Sequence, residues 1–239
     1  MNDLFIRSIK LKNDKQGLEN YLTILPAVKN LDIWEIRKNV TFLVGENGTG
    51  KSTLLEAIAV SYGFNAEGGT KNFNFSSKET HSNLHNFITV AKGVKRPKDG
   101  FFFRAESFYN VATEVDKLDL IDLYGGKSLH RQSHGESFMS LVINRFSGCG
   151  IYILDEPEAA LSTSRQLTLL SRMNQLVKQD SQFIIATHSP ILMAYPDADI
   201  YTLNEFGIKL TQYRETEHYR LTKNFLDNPD QYLHYLFEE

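Results

Sequence analysis

The segment Gly45-Glu46-Asn47-Gly48-Thr49-Gly50-Lys51-Ser52 constrains this chain more than any other. It matches G-x-x-x-x-G-K-[ST]. It follows the β-branched, apolar run 40–44 (VTFLV) and precedes STLLEAIAVSYG, whose apolar residues recur at helical spacing. A strand that turns over glycines into a helix brings several backbone N–H groups to one point, with the positive end of the helix behind them. That geometry suits phosphate. Lys51 would reach the outer phosphates, and the Ser52 hydroxyl would ligate Mg²⁺. Roughly one chain in a hundred of this length carries the pattern by chance, as a glycine turn capping a helix. Its place between a strand and a helix selects the nucleotide reading.

Composition narrows the rest. The chain has 239 residues, enough for one large core. Lys+Arg 26 against Asp+Glu 29 leaves a net charge of -3, so no overall basic balance points to nucleic acid. The single cysteine, Cys149, excludes an intrachain disulfide framework and a multi-cysteine zinc site, and fits a reducing compartment. No segment approaches the roughly 20 apolar residues that span a bilayer. The start, MNDLFIRSIKLKND, lacks the apolar core of a secretory signal. A cytoplasmic location is expected, with membrane association not expected.

Strand patterns alternate with helical ones along the chain. Residues 4–11, 31–38 and 40–44 read as strands before the phosphate loop. Residues 63–83, rich in Gly, Asn and Ser, read as a long irregular loop. Residues 84–92 suggest a short strand, 101–108 (FFFRAESF) an aromatic strand, and 110–123 a helix or loop. SFMSLVINRF has helical spacing. The runs 150–156 (GIYILDE) and 182–189 (QFIIATHS) read as buried strands, 161–178 as an amphipathic helix, and 200–213 as a hairpin. Asn228-Pro229 opens a final helix bearing Tyr232, Leu233, Tyr235, Leu236 and Phe237 on or near one face, expected to pack back on the core. Sustained heptads are missing, so long coiled-coil arms are not expected. Apolar strands alternating with helices predict an α/β fold with a largely parallel sheet.

The run Ile151–Leu154 ends in Asp155 and Glu156. A carboxylate at the C-terminal edge of a sheet can hold Mg²⁺ beside a phosphate loop, which suits Asp155. Glu156 could orient or deprotonate an attacking water. Many strands end in solvated acids, so the pair gains weight only with the phosphate loop in the same chain.

Three segments together, GENGTGKSTLLEAIA, YILDEPEAALS and IIATHSP, resemble the phosphate-loop, acidic-strand and switch-histidine segments of the ABC-class ATPases. The chain looks like the small soluble bacterial proteins of that class described as AAA-family ATPases. The resemblance implies an α/β P-loop NTPase of ABC type: a mainly parallel core sheet flanked by helices, an antiparallel β portion and a helical signature subregion. It implies a single domain over 1–239. Core strands and phosphate loop would occupy 1–62, and an irregular insertion, glutamine-loop region and signature subdomain 63–147. The acidic strand, D-loop and switch histidine would fall in 148–213, and a C-terminal helical segment in 214–239.

Further roles follow from the resemblance. ATP would contact Gly45, Glu46, Asn47, Gly48, Thr49, Gly50, Lys51, Ser52 and Thr53, and Mg²⁺ would sit on Ser52 and Asp155. Lys51, Glu156 and His188 would be the catalytic groups. Ser133-His134-Gly135-Glu136 stands where the family places Leu-Ser-Gly-Gly-Gln, keeping the Ser and the second Gly. Ser133 and Gly135 would contact the nucleotide of a second copy in a head-to-tail homodimer. Glu158-Ala159-Ala160-Leu161-Ser162 resembles the D-loop. No strand before the signature ends in an obvious Gln. There Arg104 or Glu106 could serve as a metal- or water-linked sensor, with Glu106 a candidate metal ligand, or the pair could be an ordinary surface ion pair. Trp34 fits a core or surface position better than an adenine-stacking one.

The implied activity is hydrolysis of MgATP. The phosphate-loop wording is closer to the SMC/RecF-like and OLD-like branch, which suggests a motor or switch in a nucleic-acid or defence-type complex, with a protein partner encoded nearby. Nucleic acid could touch the basic run KGVKRPK (92–98), although such runs are usually solvated loops. Two alternatives remain: the energising subunit of a membrane transporter, and a weakly hydrolysing nucleotide-gated scaffold.

Overall fold

Three inner strands of the central sheet, Val40–Val44, Gly150–Asp155 and Gln182–Ala186, are buried along their whole length because both sheet faces are covered. The computed structural model describes residues 4–71 and 81–237. Part of the irregular stretch expected over 63–83 therefore lies outside the described residues.

Nine strands are described: β1 (Ile6–Leu11), β2 (Ile33–Glu35), β3 (Val40–Val44), β4 (Ile88–Lys92), β5 (Asp99–Arg104), β6 (Gly150–Asp155), β7 (Gln182–Ala186), β8 (Asp199–Asn204) and β9 (Gly207–Thr211). Six form the core sheet in the order β5-β6-β7-β3-β8-β9, parallel except for β9, which returns antiparallel to β8. β2-β1-β4 form a separate antiparallel sheet. The buried Gln182 ties the two together. Its Oε1 accepts from the Phe5 and Ile6 N–H groups at 2.9 Å each, and its Nε2 donates to the Ile6 carbonyl at 2.9 Å.

The period of two along each core strand divides the interior. Leu43, Phe102, Ile151, Ile153, Ile184 and Ala186 face the cluster shared with the antiparallel sheet. Phe42, Phe103, Tyr152, Leu154, Phe183 and Ile185 face the other. The first side is covered by α1 (Asn20–Ile24), α2 (Pro26–Lys29) and α3 (Lys51–Tyr62). The second is covered by α4 (Phe108–Lys117), α5 (His134–Ser140) with its π continuation Leu141–Arg145, α6 (Thr163–Val177) and α7 (Pro190–Met193). No helix among the described residues is long and apolar enough to cross a membrane.

Two expectations change and one holds. The aromatic strand stops at Arg104, and Phe108 begins α4, burying its ring in the helical layer instead of extending the sheet. The C-terminal segment forms two helices, α8 (Glu217–Asp227) and α9 (Pro229–Phe237), and neither has a buried residue. Tyr235, Leu236 and Phe237 are exposed, and the helices meet through Phe225 and Tyr232, whose ring centroids lie 5.9 Å apart, instead of folding back on the core. Trp34 is in the core, edge-on to Tyr201 at 5.3 Å, and at 3% exposure it has no free face for a base.

Candidate active site

The phosphate loop joins β3 to α3 at the C-terminal edge of the parallel sheet, where open α/β sheets bind ligands. Its glycines are required by shape. Gly45 has φ +151°, and a Cβ there would come within 2.6 Å of the Leu203 carbonyl oxygen on the neighbouring strand. Glu46, Asn47 and Gly48 form the exposed apex, Thr49 donates its hydroxyl to the Glu46 carbonyl at 2.8 Å, and Gly50 caps α3 in the left-handed conformation. Thr53 lies in the first turn of the helix. Lys51 is buried, and its ammonium donates to the Gly45 and Glu46 carbonyls at 2.7 and 2.9 Å. One of its three N–H donors remains for an anion. Burial pulls its pKa down, while the carboxylates of Glu156, Asp155 and Glu158 oppose that shift.

Asp155 ends β6 one strand across from β7. Its Oδ1 accepts from the Ser52 hydroxyl at 3.0 Å, and its Oδ2 lies 4.0 Å from Arg104 Nε. Burial pushes the Asp155 carboxyl up to about 7, against the Ser52 hydrogen bond and the Arg104 charge. A buried carboxylate beside a serine hydroxyl is an all-oxygen donor set, the chemistry that suits Mg²⁺ held by one or two side chains plus phosphate oxygens. Among the described residues no group of three or more His, Cys, Asp or Glu is arranged to hold a metal.

Glu156 follows with φ 49° in the left-handed region, where a non-glycine residue is held at a cost of about 1–2 kcal/mol. Its N–H donates to the Ala186 carbonyl at 3.0 Å, which ties the end of β6 to the end of β7. Its Oε1 lies 3.6 Å from His188 Nε2. The His188 N–H donates to Glu158 Oε1 at 2.5 Å, so the turn after the acidic strand holds the histidine backbone. Burial and the Lys51 ammonium lower the His188 pKa, with Glu156 opposing. Ser52, Glu106, Asp155 and Glu156 line one cleft of about 440 Å³, together with His134.

A sequence model of the family described as AAA domain matches residues 17–144, which is more than half of the chain. The chain belongs to this AAA domain family, within the ABC-class P-loop ATPases. It is 28% identical over 193 residues to a galactofuranose transporter ATP-binding protein of Escherichia coli, covering 72% of this chain and 38% of that one. It is 27% identical over 192 residues to an uncharacterized ABC transporter ATP-binding protein of Haemophilus influenzae, covering 70% and 71%. The chain thus spans under two-fifths of the length of the Escherichia coli relative. Among solved structures, a dimeric bacterial ABC transporter cassette superposes with a TM-score of 0.50 at 17% identity, covering 87% of this chain and 100% of that one. The cbiO1 protein of Clostridium perfringens, part of the ABC transporter complex cbiONQ, does so with a TM-score of 0.50 at 17% identity, covering 95% and 96%.

In this ABC-class ATPase the turn Ser133–Glu136, expected to be the signature, is engaged within its own chain. Ser133 caps α5 in a reciprocal box: its hydroxyl lies 2.8 Å from Glu136 Oε2, its N–H donates to the same oxygen at 2.9 Å, and the Glu136 N–H donates back at 3.3 Å. Gly135 is buried against the turn Pro157–Ala160. A Cβ there would lie 2.6 Å from the Ala160 carbonyl oxygen and 2.5 Å from Arg165 Nη1. Ser133 itself is exposed.

Sequence reasoning singled out Arg104 as a possible sensor but missed its partner Glu56, and with it the hub they form. The guanidinium is 14% exposed, its Nη1 donates to Glu56 Oε2 at 2.5 Å, and its Nη2 pairs with Glu106. Arg104 therefore links the phosphate-loop helix, the end of β5 and the Asp155 carboxylate, and it is no ordinary surface pair. Glu56 was the available signal, because a lone acid inside the buried run LLEAIA needs a partner. His218, which reaches His188 from α8, had no such signal in its neighbourhood.

Proposed function

We propose that this chain binds MgATP in the cleft at the end of β3 and β6 and hydrolyses it, two copies closing head to tail around two nucleotides. The observation that carries the reading is the Ser52–Asp155 contact of 3.0 Å. It joins the phosphate loop to a strand end 103 residues later, with Glu156 and His188 beside it. The N–H groups of Gly45–Ser52 cradle the phosphates, and Lys51 supplies positive charge to the outer ones. Ser52 and Asp155 would hold Mg²⁺, which supplies charge neutralisation across the phosphate oxygens. Glu156 orients the attacking water and takes its proton, and His188 assists at the γ-phosphate.

The dimeric cassette that shares this fold supports the two-copy arrangement, as does the exposure of Ser133. In it, Ser133 and the Gly135 N–H meet the partner's γ-phosphate. The Ser133 hydroxyl has one proton to donate, so it must release Glu136 Oε2 to engage that phosphate. Phosphate contacts made only in the closed state then make ATP a switch between closed and open forms.

Glu156→Gln should bind ATP, hydrolyse it very slowly and accumulate as a dimer. Light scattering of that variant with MgATP showing monomer alone overturns the two-copy site, as would full turnover in Ser133→Arg. The client is a separate matter. The curated relatives are transporter ATP-binding proteins, which favours a membrane transporter partner. The wording of the phosphate loop favours a nucleic-acid or defence complex. Recovery of an integral membrane protein with the tagged chain supports the first, and DNA-stimulated turnover supports the second.

A further inference from the structure

The first turn of α8 is anchored beside the active site, although the rest of that helix is exposed. Thr216 is buried; its hydroxyl donates to the Tyr213 carbonyl at 2.8 Å and accepts from the Tyr219 N–H at 3.4 Å. Tyr213 in turn donates its hydroxyl to the Pro190 carbonyl at 2.9 Å, two residues after His188. The Tyr213–Pro190 bond therefore ties the start of α8 to the segment after β7. A second contact joins the same two segments: His218 Nε2 lies 2.9 Å from His188 Nδ1.

At that distance one ring nitrogen donates and the other accepts, so the contact fixes both tautomers. Both rings are half-buried, and the Lys51 ammonium is near each, which favours neutral imidazoles. The far side of His188 decides the direction. Its Nε2 is buried, makes no hydrogen bond, and faces the Glu156 carboxylate at 3.6 Å. A lone pair there would oppose the carboxylate; an N–H suits it. His218 Nε2–H thus donates to His188 Nδ1, and His188 presents Nε2–H to the Glu156 carboxylate.

We propose that His218 is a positioning residue for ATP hydrolysis, holding the ring of His188 in the orientation and tautomer that place an N–H donor next to Glu156. The proposal rests on the MgATP reading above. It makes a helix outside every recognised motif part of the hydrolytic site. A partner that hydrogen-bonds the second nitrogen of a working histidine typically matters about 10–100-fold where such pairs orient metal-bound rings, and the same logic of orientation applies here.

The test compares wild type, His218→Ala, His218→Gln, His188→Ala and the double variant His188→Ala/His218→Ala. His218→Ala is expected to lower kcat about tenfold, with KM and the affinity for a fluorescent ATP analogue changed less than twofold. His218→Gln, whose side-chain amide offers an N–H at similar reach, is expected to recover most of the loss. Adding His218→Ala to His188→Ala is expected to change kcat less than twofold, because the two act through one ring. Independently of turnover, ¹⁵N spectra of the histidine rings are expected to show His188 Nδ1 shifting downfield on loss of the His218 donor. A His218→Ala enzyme within twofold of wild type, an undiminished loss in the His188→Ala background, or His188 ring signals identical in wild type and His218→Ala each overturns the role of His218. Absence of MgATP turnover in wild type itself overturns the ATPase reading instead, and the ring spectra then still decide whether the pair exists.

Discussion

The paired strands β5 and β6 carry an acid–arginine contact at each end, and the two ends behave in opposite ways. At the N-terminal end Asp99 sits opposite Gly150; at the C-terminal end Arg104 sits opposite Asp155. Both side chains are 7% exposed, although Asp99 as a whole residue is half-buried and Asp155 is buried. Asp99 is saturated: Arg145 Nη1 donates at 2.7 Å, the Ser147 N–H at 3.0 Å, and the Tyr152 hydroxyl lies 2.8 Å away. Burial pushes its pKa up, but Arg145, Tyr152 and Ser147 together bring it below the ordinary carboxylate range. Asp155 has one hydroxyl at 3.0 Å and an Arg104 Nε that stops at 4.0 Å without a hydrogen bond, and burial prevails. Unequal pairing, with Asp155 also the more deeply buried, separates a clamp that needs nothing more from an under-paired carboxylate, the one proposed to hold Mg²⁺.

The largest effect that could break this comparison is at the site end. Asp155→Asn is expected to lower MgATP turnover by about a hundredfold or more. Its apoprotein should keep its thermal midpoint within about 3 °C or rise, since the substitution removes a poorly compensated buried charge. Calorimetry beside a phosphate-release assay reads both. A fall in Tm as large as that from a core deletion would mean that Asp155 is structural, and the contrast fails.

Next in size is the clamp end. Asp99→Asn leaves Arg145 buried without its counter-charge, at an expected loss of about 3 kcal/mol. In a domain of this size that lowers Tm by roughly 6–12 °C. Because Asp99 lies at the opposite end of the strands from the phosphate loop, turnover per folded molecule at low temperature should change less than about twofold, within the range of independent sites. A selective loss of turnover without loss of Tm would reverse the roles of the two ends.

What could be read from the sequence follows the same division. The phosphate loop was legible because each residue there answers to local geometry, as Gly45 does against Leu203. Asp155 was legible because it ends an apolar strand. Arg104 was not, because its meaning lies in Glu56, 48 residues earlier, and in the turn that carries Glu106. The run FFFRAESF also misled: consecutive aromatic residues carry no period, so the change from strand to helix between Arg104 and Phe108 was invisible. The helical segment expected over 214–239 contains α8, but its bounds were not legible because its polar residues mask the Leu221–Phe225 spacing, and His218 was given no role. The final helix was seen, but an apolar face predicts that something covers it, not what does. Tyr232 meets Phe225 and leaves Tyr235 and Leu236 in solvent.

The smallest effect sharpens the comparison most, because it depends on sign alone. The folded-state pKa of Asp99 lies below its ordinary value of 3.8, so its stabilisation is present above that value and is lost as pH falls through the folded one. At pH 3.8 half of the unfolded chains already hold the proton, which removes at most RT ln 2, about 0.4 kcal/mol, of the Asp99 contribution. Asparagine does not titrate. The difference in unfolding free energy between wild type and Asp99→Asn should therefore be flat near neutrality and shrink by up to about 0.4 kcal/mol on reaching that pH. Subtracting the variant cancels every other carboxylate that titrates alike in both proteins. Urea midpoints for the pair across this range, at constant m-value, give the measurement. A difference that grows as pH falls would place the folded-state pKa above 3.8, and Asp99 would then be under-paired like Asp155.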